Sequence, residues 1–212
     1  MDSWRDVHAS YVESFGPEAA TIDHPKGSND LSTPVDAQDH LQVSAPSCDS
    51  EVYIEMNNSV IAAEAGMLIR RPVADVFEAL TDPELTTKFW FTHSTGKLEA
   101  GKRVRWDWEM YGVSADVDVD LIEENKRILM RWPAYEGDTQ TTVDWVFTPH
   151  TANTTFVAVT NTGFKGDAEA VAKQAIGATG GFTLVLAGMK ALLEHNIELN
   201  LVSDRFPEGV DH

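Results

Sequence analysis

The chain has 212 residues and 42% apolar content, which suffices for one sizeable domain with its own core. Its net charge of -18 and its pI of about 4.6 argue against nucleic acid or an anionic membrane as a partner, because both require basic surface. Cys48 is the single cysteine, so no intrachain disulfide can form. Because there is no secretory-type start and no apolar run approaching the ~18 residues of a membrane span, we expect a soluble, cytoplasmic protein without membrane insertion.

The first 58 residues differ from the rest in composition, with 2 basic against 11 acidic side chains. Residues 3–15 predict a short helix, because Ser3 and Asp6 have the spacing of a capping box. Its apolar face, which includes Trp4, would dock on the domain or bind a partner protein. Residues 17–50 are rich in Pro, Ser, Asp and Gly, which is typical of a linker. The predicted organisation is an acidic, partly disordered extension over 1–58, a folded domain over 59–206 and a tail over 207–212.

Two short helices are predicted after a first strand at 60–69. Pro72 suits a first helical position, and apolar residues follow with helical spacing over 73–80. Asp82 can cap a second helix that begins at Pro83, which forces a bend between the two. Three adjacent aromatic residues come directly after this second helix: Phe89, Trp90 and Phe91.

Strict alternation of apolar and polar residues then predicts antiparallel strands. It runs over 103–112 and 113–121, which the short link at Tyr111-Gly112 would join as a hairpin. The pattern continues over 127–132, 141–147 and 154–162, giving a meander with one apolar and one solvated face. The inward phase of the first hairpin contains Val104, Trp106, Trp108, Met110, Val113, Ala115, Val117, Val119 and Leu121.

A long helix is predicted from Asp167, its N-cap, to about Val202. Interior glycines cost roughly 0.5–1 kcal/mol each relative to alanine, so they need a reason. They indicate either a bend near 177–181 or a close approach of the backbone to the sheet or to a ligand. The helix contains four of them: Gly177, Gly180, Gly181 and Gly188.

No sequence motif for catalysis or metal binding stands out. Residues 116–120 read D-V-D-V-D and begin like a calcium loop, but Leu121 and Arg127 occupy the positions that need Gly and Glu. We therefore expect the solvated face of a strand there. Glu194 and His195 are predicted to form a surface pair. We expect no cofactor and no metal.

Four stretches carry a resemblance to a known family: MLIRRPVADVFEALTDPELTTKFW (67–90), LEAGKRVRW (98–106), VTNTGF (159–164) and GGFTLVLAGMKALLEH (180–195). Over about residues 60–206 the chain resembles the SRPBCC, or START-like, superfamily. It is most similar there to the bacterial group that resembles the C-terminal domain of the activator of heat-shock-protein ATPase, often labelled polyketide-cyclase-like. Asn161 stands where that group often has a histidine, and residues 1–58 have no counterpart.

This resemblance implies an α+β helix-grip fold. A curved antiparallel sheet of about six or seven strands would wrap around the long C-terminal helix, with two short helices after the first strand. A deep cavity between sheet and helix would hold an apolar or aromatic small molecule. The strand pattern agrees, because several tryptophans fall on inward phases, although aromatic residues at such positions often only build a core.

The candidate ligand-binding residues combine aromatic contact area with a few polar groups. These candidates are Phe89, Trp90, His93, Trp106, Trp108, Trp132, Trp145, Asn161, Phe182, Val185 and Met189. Thr141 is a further candidate polar group.

Three functions remain open. The first is binding of a lipophilic or aromatic small molecule without covalent chemistry, for which no catalytic residue is assigned. The second is a cyclase or hydratase type of enzyme, with His93 and Tyr135 as acid or base. The third is a protein-interaction module that uses the acidic strand face at 116–120 or the N-terminal extension. The sequence indicates neither the ligand nor the oligomeric state.

Overall fold

The computed structural model describes residues 61–133 and 139–207, where seven antiparallel strands form one sheet that curves around a long helix. The sheet order is β1-β7-β6-β5-β4-β3-β2. The predicted α+β helix-grip fold is confirmed. The elements are β1 (Ala63–Ile69), α1 (Val73–Thr81), α2 (Pro83–Thr86), β2 (His93–Ser94), β3 (Arg103–Trp108), β4 (Val113–Glu123), β5 (Arg127–Pro133), β6 (Gln140–Thr151), β7 (Thr154–Thr162) and α3 (Ala168–His195).

Some predictions concern residues outside this description. They are the helix over 3–15 with Trp4, the linker over 17–50, the candidate Tyr135, and residues 208–212 of the tail. The proposed boundaries of the extension, the domain and the tail therefore stay predictions.

The bend between α1 and α2 is fixed by side-chain hydrogen bonds. Asp82 Oδ1 accepts a hydrogen bond from the Glu84 backbone N–H at 3.0 Å and so caps α2. The Thr86 hydroxyl donates to the Ala79 carbonyl at 2.8 Å, which joins the two helices. Lys97 forms an ion pair with Asp82, and its hydrogen bond lowers the pKa of that carboxyl. The chain enters the core directly after this bend.

Two local features shift residues out of the predicted inward phase. A 3-10 turn at Glu109–Tyr111, closed by Gly112 with φ of 62°, follows β3 and leaves Met110 exposed. In β4 the pairing register with β5 shifts just before Leu121. Such a bulge adds one residue and reverses the alternation, so that Ile122 packs against the core where Leu121 was expected.

Helix α3 is shorter than predicted, but it is continuous through its glycines. Asp167 Oδ1 caps it by accepting from the Ala170 N–H at 2.8 Å, as predicted. It ends at Asn196, whose φ of 55° places that residue in the left-handed region typical of a helix C-cap. At Gly188 a Cβ would lie 3.0 Å from Phe89 Cβ, so close packing explains this glycine.

By length and apolar composition alone, α3 would suit a membrane span. In this domain it instead packs on the inner face of the sheet, where Phe182, Val185, Leu186 and Met189 are buried. Soluble core helices share that composition, so the helix gives no separate indication of a membrane.

The last turn of α3 is tied to the loop after β1. Glu194, expected at the surface, has a side chain only 7% exposed. It accepts hydrogen bonds from the Arg70 backbone N–H at 2.7 Å and from Lys190. Burial raises the pKa of Glu194, but these hydrogen bonds outweigh it and the net shift is downward.

Several ion pairs connect neighbouring strands on the outer face of the sheet. Arg103 binds Asp118 through two hydrogen bonds of 2.7 and 2.9 Å, and Arg131 binds Asp120 through two of 2.7 and 2.8 Å. The Arg103 guanidinium, together with an amide hydrogen bond, lowers the pKa of Asp118 to about 2. Two of the three aspartates that begin like a calcium loop are thus neutralised by neighbouring strands.

Candidate ligand-binding cavity

A cavity of about 240 Å³ lies between the sheet and the N-terminal half of α3. Its walls are mostly apolar, which is usual for small-molecule sites. The lining residues are Trp90, Trp108, Tyr111, Val113, Ala115, Trp132, Pro133, Thr141, Asn161, Phe164, Gln174, Gly177, Ala178, Gly181, Phe182, Leu184, Val185, Val202, Arg205 and Phe206.

Small residues on α3 leave space for this cavity. Gly177, Ala178 and Gly181 all line it. A Cβ at Gly181 would meet no heavy atom within 4 Å, so this glycine does not serve close packing, in contrast to Gly188. The helix bears the propensity cost of glycine at a position that faces open space.

An aromatic cluster centred on Trp90 borders the cavity, and Trp90, Trp132 and Phe182 are its members that line it. The centroid of the Trp90 ring lies 4.9 Å from that of Trp106, 5.7 Å from Trp145 and 6.0 Å from Trp132. Trp132 and Phe182, on opposite walls, are nearly parallel with centroids 5.8 Å apart. Large rings with few rotatable bonds, held by each other, present a rigid apolar surface.

Two buried polar side chains interrupt the sheet wall. Asn161 on β7 is 1% exposed and donates from Nδ2 to the Thr142 carbonyl at 2.9 Å. Thr141 on β6 is 2% exposed, and its hydroxyl oxygen has no hydrogen-bond partner. Buried polar atoms without partners are uncommon, and each calls for an explanation.

The C-terminal segment, Asn196–Phe206, closes one side of the cavity. The Tyr111 hydroxyl donates a hydrogen bond to the Val202 carbonyl, and the Tyr111 and Phe206 rings lie 5.9 Å apart. Burial raises the pKa of Tyr111, so this residue stays a protonated donor at neutral pH. The Arg205 guanidinium lies 5.6 Å from the centroid of the Phe206 ring. Three residues of the segment thereby contribute to the lining.

Six of the predicted ligand-binding residues line the cavity, and their role in binding stays a prediction. They are Trp90, Trp108, Trp132, Asn161, Phe182 and Val185.

The other five lie elsewhere. Phe89, Trp106, Trp145 and Met189 are buried in the core and are not part of the lining. Trp106 is on the expected inward phase, but Phe91 covers it with a stacked ring 4.5 Å away. His93 is largely exposed on the edge strand β2, where its Nδ1 lies 3.0 Å from Asp107 Oδ2. His93 is therefore placed to contact solvent and Asp107, not a ligand in this cavity.

Four of the lining residues that the sequence did not indicate come from two places. Tyr111 lies in the 3-10 turn that was expected to be a simple hairpin link. Val202, Arg205 and Phe206 lie beyond the true end of α3, which was predicted to run to Val202. Asn196 was an available signal for the earlier helix end, because asparagine tolerates the left-handed C-cap conformation.

Comparisons with known proteins agree with this architecture. Residues 70–194, more than half of the chain, match the family model described as Activator of Hsp90 ATPase homolog 1-like protein. A search of curated proteins returned no match.

Solved structures extend the comparison. Protein SSP2350 from Staphylococcus saprophyticus is 28% identical with a TM-score of 0.56, over 65% of this chain and 95% of that chain. DynU16, a putative protein in the dynemicin biosynthetic locus, is 23% identical with a TM-score of 0.57, over 65% of this chain and 49% of that one. The Aha1 dimer from Colwellia psychrerythraea is 17% identical with a TM-score of 0.54, over 64% and 98%. At the lower identities the likeness shows the fold alone.

The family model covers both short helices, the sheet from β2 to β7 and nearly all of α3. The predicted resemblance to this family is therefore confirmed: this chain belongs to the Activator of Hsp90 ATPase homolog 1-like protein family.

Proposed function

We propose that this domain binds a lipophilic or aromatic small molecule in the cavity between the sheet and α3. The observation that carries the proposal is the open space at Gly181, opposite the aromatic cluster. A domain that needed only a solid core would gain stability from a larger residue at that position. A ligand would fill the space and bury apolar surface, at roughly 25 cal/mol for each Å².

An enzymatic function has less support from the geometry. Such a site needs an acid or base within hydrogen-bond reach of the substrate. The earlier candidate His93 is on the edge strand outside the cavity, and Tyr135 lies outside the described residues. Tyr111 does line the cavity, but its hydroxyl already donates to the Val202 carbonyl. We therefore favour binding without covalent chemistry, although DynU16 is described as a protein of a biosynthetic locus.

A partner-interaction function through the outer strand face also has less support. Asp118 and Asp120 are already paired with arginines, so that face offers little net charge to a basic partner. Surface ion pairs of this kind contribute little stability, but they compensate each other's charge. Binding of a protein partner by the N-terminal extension stays a prediction.

Native mass spectrometry of the freshly purified full chain, with an organic extract run in parallel, tests the proposal. We expect a small molecule that is present in native spectra and lost on denaturation. The variant Gly181→Leu, which fills the open space, should reduce its occupancy. The matched variant Thr183→Leu adds the same side chain on the exposed side of α3 and should leave occupancy unchanged.

Two outcomes would count against binding in this cavity. One is a retained molecule whose occupancy is the same in Gly181→Leu and in the wild type. The other is a chain that takes up neither a cellular molecule nor added aromatic compounds. A protein partner lost on deletion of residues 1–58 would then favour the interaction function.

A further inference from the structure

The side-chain amide of Asn161 has a determined orientation. Asn161 lies on the inner face of β7, paired with Val143 of β6. One of its amide atoms is 2.9 Å from the Thr142 carbonyl oxygen. Because a carbonyl can only accept, this atom must be the NH₂ group, and the usual ambiguity between oxygen and nitrogen does not arise. The amide oxygen, Oδ1, is therefore the atom left for the cavity that Asn161 lines.

Oδ1 accepts no hydrogen bond from any described residue. The hydroxyl of Thr141 has no partner either. Thr141 is two residues before Val143, the pairing partner of Asn161, so the two polar side chains are diagonal neighbours on the same sheet face. Diagonal neighbours are about 7 Å apart, and one polar atom between them can contact both. The wall thus holds an acceptor and a hydroxyl side by side in apolar surroundings.

The charge of the lining restricts which group can pair with these atoms. Among the described lining residues, Arg205 carries the one formal charge, and it is exposed in the C-terminal segment. An ammonium group beside Asn161 would be buried without a carboxylate, and a carboxylate would face the partial negative charge of Oδ1. Both are costly in an apolar site. A neutral group that donates to Oδ1 avoids both costs.

We propose that the cavity selects a neutral aromatic molecule with a phenol-type hydroxyl, which donates its proton to Asn161 Oδ1. The oxygen of that hydroxyl can also accept from Thr141, once a rotation about the Thr141 Cα–Cβ bond brings the hydroxyl to the staggered position that faces the ligand. A simple N–H donor would satisfy Asn161 alone, so the pair of side chains favours a hydroxyl. The inference rests on the proposed function and adds to it the chemical class of the ligand.

Isothermal titration calorimetry with three matched probes at pH 7 tests this selection. 2-Naphthol carries the hydroxyl, 2-methoxynaphthalene keeps the ring and the oxygen without the donor, and 2-naphthoate presents an anion. We expect 2-naphthol to bind the full chain about tenfold more tightly than 2-methoxynaphthalene, because a buried acceptor left unpaired is costly. We expect 2-naphthoate to bind more weakly than either.

Two variants locate the effect. In Asn161→Leu the new side chain has a similar volume and no acceptor. This variant should therefore bind 2-naphthol and 2-methoxynaphthalene with about equal affinity. Asn153→Leu makes the same substitution in an exposed turn outside the cavity and should keep the preference for 2-naphthol. If Asn161→Leu does not fold, the comparison of the three probes in the wild type still tests whether the cavity selects a hydroxyl.

The outcomes separate this inference from the proposed function. Equal affinity for 2-naphthol and 2-methoxynaphthalene in the wild type would overturn the hydroxyl selection while leaving a cavity that binds aromatic molecules. A preference that persists in Asn161→Leu would overturn the role of Asn161. Absence of binding by all three probes would overturn both proposals.

Discussion

Replacing Thr141 by valine should stabilise the ligand-free protein. Its hydroxyl oxygen is enclosed without a hydrogen-bond partner. An unmade hydrogen bond of a buried polar group costs about 1–3 kcal/mol, and valine keeps nearly the same shape without that group. Taking the lower end, Thr141→Val should raise the free energy of unfolding by about 1 kcal/mol. For a domain of this size the melting temperature would rise by roughly 2–4 °C.

Thr155 offers a matched control with the opposite expectation. It is fully buried on the adjacent strand β7, and its hydroxyl donates to the Arg71 carbonyl at 3.0 Å. Thr155→Val would leave that carbonyl unpaired and should lower the free energy of unfolding by about 1 kcal/mol or more. The same substitution on neighbouring strands should therefore have opposite signs.

Urea unfolding of the delipidated, ligand-free protein, followed by tryptophan fluorescence and far-UV circular dichroism, measures both variants. Equal m-values would show that the change lies in stability and not in the unfolded state. If Thr141→Val destabilises the protein as much as Thr155→Val does, the hydroxyl has a partner, such as an ordered water in the cavity, and the reasoning is refuted.

Three further predictions follow from the same structure. Gly181→Ala should be stable or gain up to about 1 kcal/mol from helix propensity, whereas Gly188→Ala should lose stability because its Cβ would crowd the core; thermal melts compare them. Tyr111→Phe removes the hydrogen bond to the C-terminal segment, so amide hydrogen exchange in that segment should accelerate about fivefold while the sheet is unchanged. Arg103 holds the pKa of Asp118 at about 2, so ionised Asp118 stabilises the folded domain above the ordinary pKa of 3.8, and this stabilisation is lost as pH falls towards 2. The stability of Asp118→Asn should therefore fall less steeply over that pH range than the stability of the wild type, as measured by acid unfolding.

The elements that could be predicted from sequence are those in which local signals agree. Asp82-Pro83 has one plausible conformation, a capped helix start, and the structure has it. Alternation over β5, β6 and β7 fixed the inward face, because a slip of one residue would bury every polar side chain. A single inserted residue breaks this pattern: after the bulge before Leu121, the adjacent residues Leu121 and Ile122 are both apolar, and alternation alone does not tell which of them faces inward.

The cavity was harder to predict because it depends on what covers each inward residue. Trp106 and Trp108 share a strand face, yet only Trp108 reaches the cavity, since Phe91 stacks on Trp106. That stacking depends on the path of the chain after α2, which periodicity does not describe. The residue type of His93 suggests a polar group for a ligand, but its place on a two-residue edge strand follows only from pairing with β3.

The two halves of α3 have different surroundings in the domain. Around Gly188 and Met189 the helix is closely packed against Phe89 and the core, while around Gly181 the same helix lines the cavity. Substitutions around Gly188 and Met189 should therefore change the stability of the fold, and substitutions around Gly181 should change the volume and shape of the cavity. Under the proposed binding function, single substitutions at the cavity end of the helix would change which molecule fits while the packed end keeps the domain folded.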